Sequence, residues 1–115
     1  MIVIKRIYEP AEATDGYRVL ADRLWPRGVN KEVANVDFWA KDIAPSVPLR
    51  KWFNHEPEKF KTFKNRYMDE LKENKSVAEF LEKIKPHTKI TLLYGAKDDT
   101  HNHALVLQDF LQKSQ

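Results

Sequence analysis

The spacing of apolar positions changes several times along the chain, and each change marks an element. Ile2 to Ile7 is dense in β-branched residues and predicts a first strand, and Tyr17 to Leu24 predicts a second. Glu9-Pro10 to Asp15-Gly16 between them carries turn residues, with one helical turn expected around Ala11-Glu12-Ala13. Trp39 to Pro45 keeps no period, because the residues before Pro45 and Pro48 are pushed away from helical backbone. Leu49 to Phe53 reads as a short helix. Pro57 then suits a first helical turn, with Glu56 and Glu58 favoured by the helix dipole.

Two amphipathic stripes follow. Phe60, Phe63, Tyr67 and Leu71 share one face of a helix over about 58–72. Val77, Phe80, Leu81 and Ile84 share a face of a second, for which Ser76 and Glu79 predict a capping box and Pro86 a stop. Lys89 to Tyr94 is an almost unbroken apolar run, the pattern of a strand covered on both faces. Asp98-Asp99-Thr100 is expected to cap a final helix from about His101 to Gln112, whose Ala104, Leu105, Val106, Leu107, Phe110 and Leu111 form a broad buried face. Strands separated by helices, with the most apolar strand late, predict an α/β fold: a mainly parallel sheet flanked by helices. The first two strands are joined by a connection shorter than a usual parallel crossover, which also leaves an antiparallel pair open. Phe60, Phe63, Tyr67, Phe80, Leu81, Leu92, Leu107 and Phe110 are the expected core.

The 115 residues suit one domain, 1–115, with neither linker nor repeat. No cysteine is present, which removes disulfides, thiolate nucleophiles and cysteine-ligated metals. No apolar run approaches the ~18 residues of a membrane span, and the strand beginning at Ile2 leaves no signal-peptide pattern, so a cytoplasmic protein without membrane contact is expected. The net charge of +3 is spread out: Lys59, Lys61, Lys64, Arg66, Lys72 and Lys75 alternate with Glu58, Asp69, Glu70 and Glu73. Such a helix face is solvated and internally paired, which argues against a nucleic-acid surface.

Candidate chemistry concentrates in two segments. Asp22-Arg23-Leu24-Trp25-Pro26-Arg27-Gly28 ends the second strand with charged and aromatic residues that no turn requires. Tyr94 to His103 follows the last strand. In an open parallel sheet ligands sit beyond the carboxyl ends of strands, so the two segments are expected to line one crevice if their strands are parallel neighbours. Arg23, Arg27 and Lys97, with Arg50 from the middle of the chain, would bind an anion there, aided by the N-terminus of the final helix. The competing assignment pairs these arginines with Asp22, Asp42 or helix ends. Asp22 would act as base or orient an arginine, His101 or His103 would move a proton, and Trp25 would stack on a ring.

His101 and His103 with Asp98 and Asp99 invite a metal, but i,i+2 positions of a helix do not face each other, so no metal is assigned. No cofactor is assigned either, since Gly16, Gly28 and Gly95 are isolated and form no phosphate loop or dinucleotide fingerprint. Ser46, after a proline, reads as a helix cap rather than a nucleophile.

The segment from Asp15 to Gly28 resembles the signature of the YeaO-like branch of the family known as domain of unknown function 488. The likeness continues through 39–46, 49–55, Arg66-Tyr67, 91–98 and His101-Asn102-His103-Ala104, nearly the whole chain. The resemblance implies a small bacterial-type cytosolic α/β protein, and it brings no activity with it. Many members of the wider family resemble a pattern with Cys-His-Arg at the start of the last helix. This chain has His101-Asn102-His103 near that place, so no thiol chemistry transfers.

Two functions fit these observations. The first is binding or processing of an anionic small molecule, a nucleotide or phosphorylated metabolite, in the crevice at the strand ends; if it is an enzyme, a hydrolase or transferase is expected. The alternative is a non-enzymatic nucleic-acid-binding or protein-interaction module with a flat contact face. Converging cations in a concavity would favour the first. Oligomeric state and substrate are left open.

Overall fold

Every strand of the sheet runs in the same direction, yet the first two strands never touch. The computed structural model describes residues Met1–Ser114. Its elements are β1 (Ile2–Arg6), β2 (Tyr17–Leu20), α1 (Lys31–Ala34), β3 (Phe38–Trp39), α2 (Val47–Phe53), α3 (Phe60–Glu73), α4 (Ser76–Ile84), β4 (Ile90–Tyr94) and α5 (His103–Ser114). The spatial order is β1-β4-β2-β3. Ile2 to Arg6 register with Ile90 to Tyr94 on one side of β4, and Tyr17 to Leu20 with Ile90 to Leu93 on the other, all parallel.

This order resolves the short connection. An antiparallel β1–β2 pair is not formed, because β4 lies between them. The connection need only return along a strand of ~17 Å and cross two strand spacings, ~10 Å. About ten extended residues reach ~33 Å, so no crossover helix is required. Ala13–Asp15 forms one 3₁₀ turn within it. At Gly16, φ is +68° and a Cβ would stand 2.5 Å from the Lys89 carbonyl oxygen, so the chain passes β4 only as glycine.

Alternation along β2 and β4 divides the core in two. Val19, Ile90 and Leu92 face the larger core, with Phe63, Tyr67, Leu71, Phe80, Leu107 and Leu111 from the helices. Phe60, Leu81 and Phe110, expected in the interior, pack against its margin. Leu20 and Leu93 face the second side, covered by Ala34, Trp25, Trp39 and nearby loop residues instead of a long helix. All five residues of β4 are buried, as its apolar run requires.

Arg18 also points to the thinly covered side and is buried. It binds Asp15 and donates to the carbonyls of Ala34 and Asn35. Lys5 reaches both Asp15 oxygens at 3.1 Å, and the Thr91 hydroxyl donates to the Asp15 carbonyl at 2.6 Å. Burial would push the Asp15 carboxyl up. The Glu12 N–H together with Lys5 and Arg18 overcomes this and holds it below its ordinary range. A depressed carboxylate contributes stability fully above its unfolded pKa of ~3.9, and that stability is lost as pH falls through the folded value. Urea unfolding measured down the acid range should therefore show a loss of stability below about pH 4 that Asp15→Asn flattens; identical acid profiles would exclude Asp15 as the source.

Three ends differ from the sequence reading. β2 stops at Leu20, not Leu24, since the Ala21 N–H to the Leu93 carbonyl is the last ladder bond. Beyond it the Asp22 carbonyl is held by the Trp39 indole N–H at 2.7 Å. No Ser76–Glu79 capping box forms: Ser76 is the first residue of α4 and its N–H is taken by Asn74. The final helix starts at His103, where Asn102 caps it through Leu105 N–H at 3.0 Å. Asp98 instead closes the turn before it, accepting from the N–H groups of Thr100 and His101. No helix among the described residues is long and apolar enough to cross a membrane.

Candidate functional site

Because β2 and β4 are parallel neighbours, the segments that leave their carboxyl ends emerge side by side. Asp22 joins them. Its Oδ2 accepts from Gly95 N–H at 3.0 Å and its Oδ1 lies 2.6 Å from Nε2 of His103, in the first turn of α5. A carboxylate only accepts, so with Asp22 ionised the His103 proton sits on Nε2. The approach depends on Gly95, where a Cβ would come within 2.8 Å of Asp22 Oδ2.

Around this pair lies a cleft of about 280 Å³. The first segment contributes Asp22 to Arg27 to its wall, the second Gly95, Ala96 and His101 to His103, and the middle of the chain Pro45, Arg50, Phe53, His55 and Phe63, with Tyr8 at the edge. Three arginines and three of the four histidines of the chain thus meet one internally paired carboxylate. Such an excess of cationic and protonatable groups suits an anion.

The expected site residues are placed unequally. Asp22, His101, His103, Arg23, Arg27, Arg50 and Trp25 all line the cleft, whereas Lys97 is exposed and outside its lining. Arg23 is partly committed to the fold, donating to the carbonyls of Pro45 and Ala44 at 2.9 Å each and so tethering the wall. Arg27 and Arg50 are exposed, and neither meets a carboxylate among the described residues. Trp25 is half-buried: its indole N–H donates to Val29, its ring meets Trp39 edge-on, and Lys31 lies over it. His101 pairs with Asp98 at 3.0 Å and meets the Phe60 ring edge-on. The Thr100 N–H, with the Thr100 hydroxyl and His101, holds the Asp98 carboxyl below its usual range against desolvation.

Ser46 is occupied: it accepts from Leu49 N–H as the cap of α2 and donates to Glu70 at 2.6 Å. Among the described residues no three His, Asp or Glu side chains are grouped to hold a metal. Tyr8 and His55 belong to the cleft although they stand outside both candidate segments, and Leu24 joins them from within the Asp22–Gly28 run. His55 (φ 56°) follows Asn54 (φ 47°), two successive left-handed residues. Asparagine and histidine are among the side chains that adopt this backbone most readily, and the pair turns the chain at the end of α2.

The class is now defined: a small α/β domain with a parallel sheet and a cation-rich cleft at the carboxyl ends of its two central strands. The chain belongs to the DUF488-N3i family, described as the inactive DUF488-N3 subclade, whose model matches residues 1–115. It is similar to the uncharacterized protein YeaO of Escherichia coli K12, with 48% identity over 111 residues, 96% of each chain. It is also similar to the uncharacterized proteins Rv3073c of Mycobacterium tuberculosis H37Rv and Mb3100c of Mycobacterium bovis. Each is 40% identical over 108 residues, 94% of this chain and 91% of the relative. No solved structure matches the chain.

Proposed function

We propose that the cleft binds a small organic anion, a phosphorylated metabolite or nucleotide, and that the protein is a cytosolic binding protein and not a catalyst. The observation that carries this reading is the pair Arg27 and Arg50, two exposed guanidiniums that meet no carboxylate among the described residues and stand on the wall of one concavity. A bound anion would supply their counter-charge. The Asp22–His103 pair and the start of α5 lie in the same cleft. A flat contact face for nucleic acid or protein would set such cations on a convex surface.

Binding without turnover is supported by two things. The described lining residues include no serine, threonine, cysteine or lysine. The family description, inactive, agrees with that reading.

Thermal melts against a panel of phosphorylated metabolites test it. A compound at 100 times its dissociation constant should stabilise the fold by about 2.7 kcal/mol. Arg27→Ala should then weaken binding by about one to two decades, the worth of a charge-assisted hydrogen bond, while the ligand-free melting temperature hardly moves. No shift with any anion would reject the function. Unchanged affinity in Arg27→Ala would remove Arg27 from the site, and a large loss of ligand-free stability would make it structural.

A further inference from the structure

We infer that the ligand of this cleft carries an aromatic ring beside its charge, and that Leu24 and Tyr8 cover that ring; the inference rests on the anion-binding reading above. Of the five large apolar side chains exposed among the described residues, two line this one cleft: Leu24, 65% exposed, and Tyr8, 48% exposed. Neither belongs to either hydrophobic core. Isolated exposed hydrophobes are ordinary, but two on the wall of one cavity form an apolar surface that invites cover.

Both are held by neighbouring contacts. The Tyr8 hydroxyl donates to the Arg27 carbonyl at 2.9 Å, and the Arg6 guanidinium lies 4.9 Å from the ring centroid. Little freedom is therefore left for a ligand to freeze out of that ring. Leu24 follows Arg23, whose two bonds to the Ala44 and Pro45 carbonyls tether the segment. Phe53 and Phe63, stacked at 4.3 Å and buried in the larger core, back the same cleft.

The cleft thus offers hydrocarbon as well as cations. Inorganic phosphate would use only the cations. A polyol phosphate would set hydroxyls against hydrocarbon with few partners, which is unfavourable. An aromatic anion satisfies both, and about 280 Å³ is at the small end of ligand pockets, which suits one ring and one charged group.

Calorimetric titration with three probes of the same anionic group tests this: inorganic phosphate, glycerol phosphate and phenyl phosphate. The expected result is at least tenfold tighter binding of phenyl phosphate than of glycerol phosphate, a ratio that Leu24→Asn and Tyr8→Ala each bring toward one. Because each ratio is taken within one protein, a loss of folded fraction does not mimic it. Equal affinities for the two esters in the wild type, or a ratio untouched by both substitutions, would overturn the inference and leave anion binding standing. If none of the three probes binds, anion binding and the inference fall together.

Discussion

Replacing Arg18 by alanine is expected to lower the unfolding free energy by about 3–5 kcal/mol, a large part of the ~5–15 kcal/mol that holds a typical domain together. The substitution strips Asp15 of its buried partner and leaves the Ala34 and Asn35 carbonyls without their donor. Lys5 remains on Asp15, which keeps the loss toward the lower end. Urea unfolding of Arg18→Ala, Asp15→Asn and the double variant gives the coupling directly. The double variant should be less destabilised than the two single losses added together, since it leaves no carboxylate unpaired. A loss under about 1 kcal/mol for Arg18→Ala would mean that the guanidinium is solvated in solution.

Leu92→Ala should cost about 2–5 kcal/mol, the range for truncating a fully buried leucine. Leu92 is wholly buried in the central strand, between β1 and β2 and beneath the helices of the larger core. The midpoint of denaturation should fall while the slope stays the same, because the native fold and the surface it buries are retained. A loss below about half a kcal/mol would show that the site relaxes around the cavity or that β4 is peripheral in solution.

Much of this architecture was legible because its signals are local. The stripe Phe63, Tyr67, Leu71 declared α3, and the unbroken run of β4 declared a strand covered twice. The crevice could be anticipated because strand ends in parallel sheets have a known use. Less visible were features that depend on partners distant in sequence. Nothing near β1 or β2 announces that β4 will enter between them. Arg18 alternates with Tyr17 and Val19 as a solvent-facing residue would, and only Asp15 and the end of α1 make its burial tolerable. Asp98 and Asn102 are both good caps, and which one starts α5 was decided by the turn that Asp98 closes with Thr100 and His101. Tyr8 and His55 stand outside the two candidate segments; they join the cleft through the paths of the chain after β1 and after α2.

The central position of β4 also sets the order in which the molecule can be made. β1 and β2 emerge from the ribosome before α1 to α4, and the strand that pairs with both follows those helices. Until it arrives, β1 has no partner and β2 has only the two residues of β3. Closing such distant pairs is entropically slow, so the nascent chain exposes unpaired strand edges until β4 has been made. Chains terminated before Ile90 should be aggregation-prone and protease-sensitive. The four-stranded sheet can close only once Ile90–Tyr94 has been made.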